Sequence, residues 1–238
     1  MGIEYLVFIF LGFVASVTST IFGLGSALVV LAVGPYILPV KEVIALSAVL
    51  FIASTLTKSI VFARYIDLKI AEIMAISSLP FAYLGASLVP DLPAENLKQM
   101  LGLMILLYVG LSVFNLFPSL EIGTAGVIAG SAGYGFVSGL LGSGNLVKAV
   151  IFREMSMSKE AFVGAMAATS VLANLAKLAA YNHTNLLNDS QLKPMFGLSV
   201  AAVLAVFVGR KFLRRLTVMG FGFGVQVVLA VSAFGLLI

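Results

Sequence analysis

Phe22-Gly23-Leu24-Gly25-Ser26 and Leu141-Gly142-Ser143-Gly144-Asn145 are one interruption met twice, 119 residues apart. Each ends a long apolar run and opens a shorter one, 26–38 in the first case and 144–152 in the second. Glycine accepts the φ > 0 geometry that stops a helix, and Ser26 and Asn145 are residue types that cap the start of one. A short helix is therefore expected after each break. Its N-terminus would offer free N–H groups and partial positive charge, a setting that suits an anion. Close packing of small residues between membrane helices would call for the same glycines.

Outward from the breaks the chain is apolar almost throughout. Hydrophobic residues make up 61% of its 238 and charged residues 10%, where a soluble domain carries about 25% charged. Mean hydropathy is +1.14. Apolar segments run over 4–21, 26–38, 43–63, 69–90, 95–117, 122–140, 144–152, 160–181, 192–210 and 217–238. The long ones reach the roughly 20 helical residues that cross a hydrocarbon core. They lack the alternation of a transmembrane β-strand, so helices are the spanning element. The fold class predicted is an all-α integral membrane protein.

The same composition excludes other classes. With no cysteine, disulfides and thiolate metal sites are ruled out. The single histidine, His183, lies in the polar stretch 182–191 and reads as solvated. The spans hold no paired carboxylates, histidine cluster or Ser–His arrangement, and no nucleotide-binding motif is present. No enzyme, metal or cofactor is expected. Glu4 and the lack of a basic n-region make the first run a retained helix and not a cleaved leader.

Further positions repeat at the 119-residue offset. Ser19, Gly23 and Gly25 match Ser138, Gly142 and Gly144; Ala48, Leu56 and Lys58 match Ala167, Leu175 and Lys177. Lys41-Glu42 matches Lys159-Glu160 at an offset of 118, which implies one small indel. Lysine is rare in apolar segments, so these matches weigh most. Residues 1–118 and 119–238 are read as two repeats of one transmembrane domain. Each would comprise a glycine-broken re-entrant helix pair plus three spanning helices.

Loop charge gives the orientation. Arg64, Lys69, Arg153, Lys159, Arg210, Lys211, Arg214 and Arg215 fall on one side, and Lys41, Lys98 and Lys193 on the other. Both termini are thereby expected outside the cytoplasm, with the chain multi-pass in the cell (inner) membrane. The count is the same whether each broken unit is a hairpin or one crossing, so inverted and parallel repeats both stay open. Inversion is preferred by analogy with transporters that pair inverted repeats with discontinuous helices. The net charge of +4 reads as topology information and not as nucleic-acid binding. Residues 210–215 read as a basic anchor, with anionic lipid a less specific alternative.

Lys58 and Lys177 carry the chemical expectation. Each lies 33 residues past its own Gly25 or Gly144. A lysine at the bilayer centre costs about 2.5–3.5 kcal/mol, and all ten acidic residues fall at or near segment ends and loops. An anionic ligand could supply the missing countercharge. Snorkelling of the long stems to the interface is the rival explanation. Thr55 and Ser54 precede Lys58 by three and four residues, and Asn174 precedes Lys177 by three. Such spacings share a helix face, and hydroxyl or amide donors beside a cation suit an oxyanion. Lys148 is unpaired across the repeats, facing Val29 at the offset. It reads equally as an asymmetric ligand or as a reach to the cytoplasmic interface.

The doubled break followed by a second polar helix resembles the sulfite exporter (TauE/SafE) family. The resemblance runs from Gly12-Phe13-Val14-Ala15-Ser16 through Phe22-Gly23-Leu24-Gly25-Ser26 to Val43-Ile44-Ala45-Leu46-Ser47. It repeats from Gly130 through Gly144-Asn145 and then Ala161 to Ser170. Family members commonly have adjacent glycines at the break, where this chain has Gly-Leu-Gly-Ser and Gly-Ser-Gly-Asn. The resemblance implies a permease for small sulfur oxyanions or organosulfonates such as sulfite, thiosulfate or sulfoacetate.

The expectation is thus a secondary transporter for a small oxyanion, working by alternating access. The expected site joins Gly23, Gly25, Ser26, Gly142, Gly144 and Asn145 to Lys58, Lys177, Thr55, Asn174 and Lys148. The anion and the lipid bilayer are the expected partners, and a homo-oligomer is compatible with the sequence. An anion channel, served by the same cationic lining, and a non-transporting membrane subunit are the alternatives.

Overall fold

The structure, a computed structural model, describes residues 2–23, 26–113, 123–153 and 157–215. Gly25, the last apolar segment and the junction between the expected repeats lie outside them. Among the described residues ten α-helices form in chain order, and no strand. They are α1 (Ile3–Phe22), α2 (Ser26–Val33), α3 (Val40–Val61), α4 (Leu68–Ser87) and α5 (Ala94–Val113), then α6 (Thr124–Leu141), α7 (Asn145–Arg153), α8 (Lys159–Ala168), α9 (Val171–His183) and α10 (Leu192–Leu213). Among the described residues, six helical stretches are long and apolar enough to cross a membrane: 3–22, 40–61, 68–87, 124–141, 159–183 and 189–213. The chain is an all-helical, multi-pass membrane protein.

Local chemistry sets the helix ends. Gly23 and Gly142 end α1 and α6 in the left-handed region, at φ 77° and 80°. A Cβ on Gly23 would also lie 2.5 Å from the Phe162 ring. The short helices expected after the breaks form as α2 and α7, but Ser26 and Asn145 are their first helical residues, not caps placed before them. Asp67 caps α4 by accepting from the N–H groups of Lys69 and Ile70, and Ser158 caps α8 by accepting from Ala161. One expected segment, 160–181, divides: α8 stops at Ala168 and α9 starts at Val171.

Lipid tails are as apolar as leucine, so helices in a bilayer associate through close packing more than through hydrophobic burial. Glycine makes the closest approach here. A Cβ on Gly135 or Gly139 of α6 would lie 2.2 Å from the carbonyl oxygens of Ser78 and Ala82 on α4. The rising register shows α4 and α6 running in the same direction. Likewise α1 and α10 run together, with Ile9 against Gly197 and Thr20 against Gly209. Between α3 and α9 the register falls, since Thr55 meets Asn174 while Phe51 faces Lys177. Those helices are antiparallel. After the first break the chain turns back along α1, for Gly34 just past α2 packs on Phe8 and Val43. Large apolar side chains such as Phe10, Ile60, Leu103 and Phe196 are left exposed on the outside, where lipid would cover them.

Candidate anion site

The two glycine breaks, α3 and α9 enclose one small polar cavity. It holds about 40 Å³ of free space, above the roughly 10–15 Å³ that admits one water. Gly23, Ser26, Gly142 and Asn145 line it from the breaks and Thr55, Lys58, Asn174 and Lys177 from the two helices.

Both lysines turn into the protein and neither snorkels. Lys58 is 5% exposed and Lys177 1%. Their contacts are equivalent at the 119-residue offset. Lys58 Nζ donates to Ser19 Oγ at 2.9 Å, and Lys177 Nζ donates to Ser138 Oγ at 3.2 Å. Lys177 goes further, donating to the Gly142 carbonyl at 3.0 Å and standing 5.5 Å from the centre of the Phe51 ring. No carboxylate is buried among the described residues. Thr55 and Asn174, also 119 residues apart, touch directly: Asn174 Nδ2 donates to Thr55 Oγ1 at 3.2 Å. Thr55 Oγ1 in turn donates a hydrogen bond to the Phe51 carbonyl at 2.7 Å.

Two expected site residues lie apart from the lining. Gly144 packs on the α6 backbone, where a Cβ would meet the Tyr134 carbonyl at 2.5 Å. Lys148 is fully buried, but its Nζ turns to the gap between α8 and α9. There Ser170 N–H bonds to Ala167 O, three residues back. The Met166 carbonyl accepts instead from Lys148 Nζ at 2.8 Å and from Ser170 Oγ at 2.9 Å. Lys148 Nζ also donates to Thr169 and Ser170 hydroxyls, and it sits 4.5 Å from the centre of the Tyr134 ring. Tyr134 OH donates to Ser170 Oγ at 3.0 Å. Lys148 thus stands behind the lining residues Tyr134, Met166 and Ser170 and joins α7 to a helix break.

Ser54, Tyr134, Ser138, Ser143 and Ser170 line the cavity beyond the expected set. Ser138 carried a sequence signal, because it repeats Ser19. Tyr134 and Ser170 carried none, since their counterparts are Ala15 and Phe51. His183, the last residue of α9, is exposed.

Hydrogen-bond donors line a small space, and among the described residues no buried acid neutralises the lysines, a setting that suits a small anion. The family model described as Sulfite exporter TauE/SafE matches residues 8–236. No curated protein and no solved structure matches the chain. Nearly the whole length is covered by that one family, and the chain belongs to the sulfite exporter TauE/SafE family of membrane transporters.

Proposed function

We propose that the protein is a secondary transporter of a small sulfur oxyanion, such as sulfite, thiosulfate or an organosulfonate. The cavity between the glycine breaks is its binding site. The observation that carries this reading is the convergence of Lys58 and Lys177 on one cavity, where no carboxylate is buried among the described residues. A buried ammonium without a protein counterion is costly, and a bound anion relieves that cost. Thr55, Asn174, Ser26 and Asn145 supply hydrogen-bonding groups around it.

In this reading residues 1–118 and 119–238 are repeats of opposite orientation, each opening with a re-entrant pair, α1–α2 or α6–α7. The antiparallel run of α3 against α9 supports inversion, because these helices are counterparts in the repeat. The return of the chain along α1 after Gly23 supports the hairpin. Alternating access then follows from rocking one repeat against the other, with both termini outside the cytoplasm.

The test is flux in proteoliposomes loaded with sulfite, thiosulfate, sulfate or a sulfonate, for wild type, Lys58→Met and Lys177→Met. Saturable wild-type flux of a sulfur anion is expected, with each variant at least about tenfold slower, the scale of one charged hydrogen bond. Unchanged flux in both variants would remove the lysines from the mechanism. No flux of any of the four anions would remove the substrate class. Large single-channel currents would replace the carrier with an anion channel.

A further inference from the structure

The lysines match, but the space around them does not. Helix α3 carries five hydroxyl residues: Ser47, Ser54, Thr55, Thr57 and Ser59. Four donate to backbone carbonyls three or four residues back, the ordinary fate of a helical hydroxyl. Ser54 does not. It is 1% exposed, it lines the cavity, and its Oγ has no partner. Ser16 is the other hydroxyl whose oxygen is wholly inaccessible and without a partner among the described residues, and it is not part of the lining.

Ser54 stands four residues before Lys58, on the same helix face. Among the described residues the Lys58 ammonium donates one hydrogen bond, to Ser19, which leaves N–H groups to spare. Opposite, Lys177 is more fully engaged by Ser138, the Gly142 carbonyl and the Phe51 ring. The counterpart of Ser54 is Ala173, which has no donor.

We propose that the anion sits on the Ser54–Lys58 edge of the cavity and that Ser54 is a ligand that selects polyatomic oxyanions. The inference rests on the reading of this cavity as the anion site. Ser54 Oγ and Lys58 Nζ donate from different points on one helix. An anion with two or more terminal oxygens on one centre can accept from both, one oxygen to each. A spherical halide gains little from the second donor. Lys177 contributes charge across the cavity, while its own N–H groups hold the second break.

The test measures sulfite and chloride binding to purified full-length protein in detergent, for wild type, Ser54→Ala, Lys58→Met, Lys177→Met and Ala173→Ser. Ser54→Ala should weaken sulfite binding about tenfold or more, the loss that follows one missing charge-assisted hydrogen bond, and leave chloride binding unchanged. Lys58→Met should lose more sulfite affinity than Lys177→Met. Ala173→Ser added to Ser54→Ala should not restore binding.

Wild-type sulfite affinity in Ser54→Ala overturns the seat, and so does an equal loss in the two lysine variants. Ser54→Ala is a small change and decides the matter even where Lys58→Met does not fold. Thermal melting of each variant separates lost folding from lost binding. Should thiosulfate, sulfate and a sulfonate also fail to bind wild type, the transport reading falls with the seat. Binding by wild type with an indifferent Ser54→Ala removes the seat alone.

Discussion

At three paired positions of the proposed repeats, the second is polar where the first is apolar. Ala15, Val29 and Phe51 in the first correspond to Tyr134, Lys148 and Ser170 in the second. The apolar trio accompanies an unbroken helix, α3. The polar trio binds a helix that breaks at Thr169–Ser170. The cavity is lopsided in the opposite sense, because the unpartnered hydroxyl and the less engaged lysine belong to the first repeat. Within the proposed repeats, polar groups gather at the helix break of the second half and at the cavity edge of the first.

The comparison can be broken most severely where helices cross. Gly139 and Thr20 are counterparts. A Cβ at Gly139 would strike backbone on α4, whereas Thr20 already carries a branched side chain against Gly209. Gly139→Val should destabilise the fold by about 3 kcal/mol, the upper range for overpacking. Thr20→Val, which loses only a hydroxyl bonded to Ser16 O, should cost about 1 kcal/mol. Melting temperatures in detergent would check both, and equal losses would mean the two crossings are alike.

Next in size are the trios. Lys148→Val takes the ammonium from the Met166 carbonyl and should cost about 2 kcal/mol, as hydrogen bonds to charged groups do. The reverse change, Val29→Lys, sets an amine beside α3, whose carbonyls are engaged along an unbroken helix. It should cost about 3 kcal/mol, on the insertion scale. A neutral Lys148→Val would show that the α8–α9 break stands without its cation.

The smallest effect belongs to the contact between the repeats. A double-mutant cycle on Thr55→Ala and Asn174→Ala should yield a coupling of about 0.6 kcal/mol, the usual worth of a hydrogen bond between membrane helices. A coupling of zero in chemical denaturation would mean the two residues do not meet.

Much of this was readable in the residues. Lysine is rare in apolar segments, so its recurrence at the offset shared by the glycine breaks marks the breaks, the short helices and the matched lysines in the sequence. Ser19 and Ser138 repeat at that same offset, yet their bonds to the lysines depend on how α1 and α6 pack. The α8–α9 break was hidden because neither glycine nor proline marks it. There the Met166 carbonyl and the Ser170 hydroxyl accept from Lys148, some twenty residues earlier in the chain, and Lys148 read alone suggests a ligand or a reach to the cytoplasmic interface. Thr55 and Asn174 were singled out as neighbours of their own lysines; their contact comes from the tertiary arrangement, which periodicity does not encode.

That contact has a mechanical corollary. If the halves are inverted repeats as proposed above, two counterparts that touch straddle the pseudo-twofold axis relating them. In the transport cycle proposed above, each repeat takes on the other's shape, and the points left stationary by such an exchange lie on the axis. The hydrogen bond from Asn174 to Thr55 therefore belongs to the fulcrum. Its length should hold in inward- and outward-facing states alike, while the distances from Lys58 to Ser19 and from Lys177 to Ser138 trade values.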